Sequence, residues 1–165
     1  MTSDVRALVL FLAAALSAAC SGPRTSFEAG EPVVLTGGGG VALGGYDPVS
    51  YFEGDRPVRG SKEHVAEHGG ATYRFASAES REAFVADPEQ FVPAYGGWCA
   101  WAVADGEGAL VEVDPRSFLV QGGRLMLFYD GLLADTRKMW LARDTAELER
   151  RADGNWGRLV SVAGE

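Results

Sequence analysis

Cysteine and histidine are scarce in this chain: its 165 residues hold two of each, Cys20 and Cys99, His64 and His68. No Cys-x-x-Cys occurs, so the usual dithiol redox motif is excluded. There is likewise no G-x-S-x-G nucleophile elbow, no P-loop and no dinucleotide fingerprint. Gly37–Gly40 precede no helix-capping phosphate motif, and the glycines read as turns. Basic residues are outnumbered, 15 Lys and Arg against 23 Asp and Glu, for a net charge of −8. That balance disfavours binding to nucleic acid or to an anionic membrane surface. No internal repeat is present, and the length suits one domain with a real core rather than two.

The apolar run at residues 7–19, ALVLFLAAALSAA, is too short to cross a membrane comfortably and follows a short segment containing Arg6. Small residues close it and Cys20 comes next, the pattern of a secretory signal peptide over residues 1–19. LSAAC resembles a bacterial lipobox, in which cleavage leaves the cysteine as a lipidated first residue, although Leu16 lies one place further from Cys20 than that pattern has it. The rival is ordinary cleavage after Ala19, for which Ser17 and Ala19 suit a small-x-small site. Either route exports the chain to the periplasm or outer surface, and a lipidated Cys20 would anchor it to the lipid bilayer. Such compartments are oxidising, and unpaired thiols are unusual in them. With Cys20 carrying lipid, Cys99 has no intramolecular partner.

Residues 20–40 are rich in Gly, Ser, Thr and Pro and read as a flexible tether, with PVVL inside them able to pair with the domain edge. The domain is expected over 41–160. Asp47 and Pro48 suit the start of a short helix bearing Tyr51 and Phe52. HVAEHGGATYRF predicts a hairpin turning at Gly69-Gly70, and SFLVQGGRLMLFY a second turning at Gly122-Gly123. Ser77 can cap a helix through AESREAFVAD that packs Phe84 and Val85 inward and ends at Pro88. AWAVA could be helix or buried strand, ALVEVD alternates as a strand, and TRKMWLA reads as helix. Asp144 and Glu147 form a capping box for TAELERRA. Antiparallel hairpins with interspersed short helices make the class α+β, a single small domain.

His64 and His68 could chelate one ion on a helix, but on a strand they share a face about 13 Å apart, at ~3.3 Å per residue. Two partly exposed histidines near a turn is the plainer account, with one of them still able to join Cys99 across space. Asp105, Glu107, Glu112 and Asp114 are spread over loop and solvent-face positions, without the convergence that acid–base chemistry needs. Trp98, Trp101, Trp140 and Trp156 fit core packing better than an aromatic wall around a ligand.

Cys99, in YGGWCAWAVA, remains. It could be a buried thiol acting as a small hydrophobe. Alternatively, Gly96 and Gly97 could let backbone N–H groups approach the sulfur. A helix beginning at Trp98 would place the thiol in its first turn, where the dipole favours a thiolate. A thiolate there could bind a soft metal or react with a disulfide or peroxide.

GGYDPVSYFEGDRPVRGSKEH, GATYRFASAESREAFVADPEQFVPAYGGWCAWAVA and KMWLARDTAELERRADGNW together resemble the exported bacterial YHS-domain proteins, over roughly residues 41–158. The resemblance implies a short α+β module, of a kind associated with metals and including selenoprotein members. In metal-associated relatives the aromatic strand leads into a Phe-Cys-Ser step with a second cysteine on the next helix. Here Ala76 and Ser80 stand at those positions, so those soft ligands are missing. The selenoprotein members are understood to carry selenocysteine where Cys99 stands, which would draw Cys99 towards redox or metal chemistry.

Three functions follow as expectations. The first is an envelope-anchored module binding a soft metal such as copper through Cys99, helped by His64 or His68. The second is a thiol-dependent redox protein with Cys99 as its catalytic and sole nucleophile. The third is a non-catalytic accessory domain that binds another envelope protein, with Cys99 packed.

Overall fold

The structure of the protein is a computed structural model that describes residues 33–132 and 134–163. The signal segment 1–19, Cys20 and the tether as far as residue 32 lie outside the described residues. Residues 33–40, ahead of the expected start at residue 41, already pair with the domain. Leu35 N–H donates to the Gly96 carbonyl at 2.8 Å, Thr36 pairs with Ala42, and Gly37 N–H reaches the Val41 carbonyl at 2.9 Å. Val34 and Leu35 pack on the core, so this strap is held by burial as well as by hydrogen bonds.

The first half of the domain is a hairpin and a helix. Asp47 accepts Val49 N–H at 2.9 Å and so starts a 3-10 helix, Val49–Phe52. Strands β1 (Ser61–His68) and β2 (Ala71–Phe75) pair antiparallel through the Gly69-Gly70 turn. Both turn glycines have positive φ, 56° and 78°, the geometry that a two-residue hairpin requires. Helix α1 (Ala78–Ala86) is capped by Ser77, whose side chain accepts Ser80 N–H. Phe84 is buried against Tyr73 and Phe75. Val85 does not join it and is 55% exposed, because one residue along a helix turns the side chain about 100° away from its neighbour.

The second half is built around a second hairpin. Helix α2 (Ala100–Ala104) follows a tight turn at residues 94–97. The ALVEVD stretch does not form a strand before Asp114. Its backbone instead runs beside the start of α2, with Ala109 N–H bonded to the Ala102 carbonyl and the Val111 carbonyl to Cys99 N–H. Strand β3 (Asp114–Gln121) pairs antiparallel with β4 (Arg124–Phe128). The short pair β5 (Asp130–Gly131) and β6 (Ala134–Asp135) leads into α3 (Thr136–Leu141) and then α4 (Thr145–Ala163). Asp144 starts α4 by accepting the Ala146 and Glu147 N–H groups. The class is α+β, as the sequence predicts.

Two hydrophobic clusters meet on β4. Leu125 and Leu127 belong to the first, with Tyr51, Tyr73, Phe75, Phe84 and Phe118. Met126 and Phe128 belong to the second, with Trp98, Val103, Trp140, Leu148 and Ala152. Both faces of β4 are therefore buried from Leu125 on, which explains why LMLF reads as a continuous apolar run rather than an alternating one. On its other edge β4 meets the 93–99 segment, through parallel bridges Pro93–Leu125 and Cys99–Leu127.

Candidate functional site

The descent of the chain to Cys99 depends on left-handed backbone at Tyr95, Gly96 and Gly97, with φ of 55°, 58° and 86°. At Gly96 a Cβ would lie 2.0 Å from the Val33 carbonyl oxygen, so only glycine lets the N-terminal strap cross here. Tyr95 tolerates its conformation because its ends are fixed. Its phenol donates to Asp153 at 3.0 Å, and its ring lies 5.3 Å from the Arg124 guanidinium and edge-on to Trp156. Burial pushes the Tyr95 phenol well above the ordinary tyrosine value.

Cys99 is fully buried at the junction of α2, β4 and α3. Its sulfur lies 3.3 Å from Tyr129 N and 3.4 Å from Thr136 Oγ1. Thr136 donates its hydroxyl proton to the Tyr129 carbonyl at 2.8 Å, and its own N–H reaches the same oxygen at 3.1 Å. A hydroxyl has one proton. With that proton on the Tyr129 carbonyl, Thr136 Oγ1 faces the sulfur as an acceptor and the thiol S–H is the donor. The result is a closed ring: Tyr129 N–H to sulfur, S–H to Thr136, Thr136 O–H back to Tyr129.

This differs from the sequence expectation in two respects. Helix α2 begins at Ala100, and Cys99 is the residue before it, with no bond from its side chain to that helix. The N–H that reaches the sulfur comes from Tyr129, thirty residues away, and not from Gly96 or Gly97. Tyr129 and Thr136 carry no local sequence signal, since only the tertiary fold brings them to the thiol.

The histidines lie elsewhere. Both sit on the partly buried face of β1. His68 Nε2 is 3.1 Å from Glu89 Oε1 and its ring stands edge-on to Phe84, while His64 lies four residues before it on the same face of β1. Among the described residues no three His, Cys, Asp or Glu side chains converge as a metal site, so Cys99, His64 and His68 are not brought together. Ala76 is exposed, and Ser80 serves the Ser77 cap through its backbone. The Ala76 N–H donates to Asp47 Oδ2 at 2.9 Å, which ties the YDP block to the end of β2.

The tryptophans all belong to the second core. Trp98 and Trp140 are buried in it, and Trp101 and Trp156 pack on its margin. Asp114 is held below the usual carboxylate range by hydrogen bonds from Arg116, at 3.0 and 2.6 Å. It belongs to an open groove of two concavities, about 640 and 520 Å³, that share Asp114, Arg116 and Asp130. Tyr46, Arg59 and Tyr129 line the larger one, with Arg59 stacked 4.1 Å over the Tyr46 ring. The groove balances Arg59, Arg116, Arg137 and Lys138 against Glu112, Asp114, Asp130 and Asp135. Cys99 thus lies behind Tyr129, whose backbone holds the sulfur and which also lines the groove. No family model matches the chain, and no match to it is found among curated proteins or solved structures.

Proposed function

We propose that this chain is an exported, YHS-like interaction module, lipid-anchored through Cys20, that works as a non-catalytic accessory domain with Cys99 as a packed thiol. The observation that carries this choice among the three readings is the closed hydrogen-bond ring around a fully buried sulfur. A sulfur that already accepts one N–H and donates its own proton is satisfied inside the fold, and attack on a disulfide or capture of copper would first require breaking that ring. The export and anchor rest on residues 7–20, and the YHS likeness rests on the three sequence blocks that carry it.

The test is the alkylation rate of Cys99 by iodoacetamide in the folded domain across pH 6–9, with and without added Cu(I), beside the same reaction in denaturant. The packed reading expects modification only after unfolding and no protection by copper. Rapid alkylation of the native protein near pH 6 would replace it with the redox reading. Stoichiometric copper that Cys99→Ser abolishes would replace it with the metal reading. Mass spectrometry of the mature N-terminus decides the anchor separately, a diacylglyceryl Cys20 supporting it and an unmodified one refuting it.

A further inference from the structure

We draw no further inference here: the strongest candidate, the open groove between Tyr46, Arg59 and Tyr129 that continues past Asp114 to Lys138, presents equal numbers of acidic and basic side chains, and nothing in the structure shows what covers it.

Discussion

Asp47 is a carboxylate with no exposed surface, and each of its oxygens accepts one backbone N–H, from Val49 and from Ala76. Ser50 donates to its carbonyl and in turn accepts Val58 N–H, so one short segment ties down two others, at Val58 and at Ala76. Removing the carboxylate strips the buried Val49 N–H and the partly buried Ala76 N–H of their acceptors, at about 1–3 kcal/mol for the first and less for the second. Asp47→Ala is therefore expected to lose about 3 kcal/mol in denaturant unfolding, and Asp47→Asn somewhat less because one oxygen remains. A loss under about 0.5 kcal/mol, the level of an ordinary surface change, would show that these bonds are dispensable. The thiol ring makes a parallel prediction at Thr136. Thr136→Val keeps the shape and the Thr136 N–H bond to the Tyr129 carbonyl, but removes the hydroxyl that accepts the S–H, for about 1–2 kcal/mol. The same variant should alkylate faster at Cys99 in proportion to its lost stability. Unchanged stability would mean that the ring contributes nothing.

Among the elements, the N-terminal strap has the clearest steric dependence. A methyl at Gly96 overlaps the Val33 carbonyl and sits in a left-handed conformation, so Gly96→Ala should displace residues 33–36. Limited proteolysis would then cut the strap in the variant and spare it in the parent, whereas equal protection would contradict the crossing. Helix α2 depends on α4 in a comparable way. Asn155 Nδ2 reaches the Val103 carbonyl at 2.7 Å and the Gly106 carbonyl at 3.3 Å, satisfying the end of a helix only five residues long. Asn155→Ala should cost about 1–3 kcal/mol, read as a lower midpoint in urea.

Features fixed by neighbouring residues were legible in the sequence: both Gly-Gly hairpin turns, the Ser77 and Asp144 caps, and the Asp47-Pro48 helix start. ALVEVD alternates like a strand yet forms none before Asp114, because no ladder matches it and its backbone pairs instead with Cys99 and α2. The site was half legible. Its cysteine stood out by isolation, but Tyr129 and Thr136 lie 30 and 37 residues further along and reach the sulfur only once β4 and α3 are packed.

At the scale of the molecule, three buried phenols set the response to alkali. Burial raises Tyr51 and Tyr95 well above 10.0 and pushes Tyr73 up to about 12, with Glu89 adding to the last. A raised folded value means that the contribution of these groups is complete below the unfolded value, near pH 10, and is lost as pH rises towards the folded one. The denaturant midpoint should therefore hold to about pH 10 and fall between 10 and 12, and Tyr73→Phe should make that fall shallower. A midpoint that stays level to pH 12 would contradict the burial of these hydroxyls.

The two-faced burial of β4 bears on how the chain finds its pairing. In a strand with one wet face, a slip of one residue drives polar groups into the core and is rejected at once. In β4 the slip that draws Tyr129 towards the place of Phe128 exchanges Leu125 and Leu127 with Met126 and Phe128, apolar residues of similar bulk, between the two clusters, and only the opposite slip drives Arg124 into the place of Leu125. Hydrophobicity alone barely distinguishes the right alignment from the first of these. Selection between them falls to the strand's two ends: the Gly122-Gly123 turn, and the Tyr129 N–H that finds its acceptor, the Cys99 sulfur, in one alignment only.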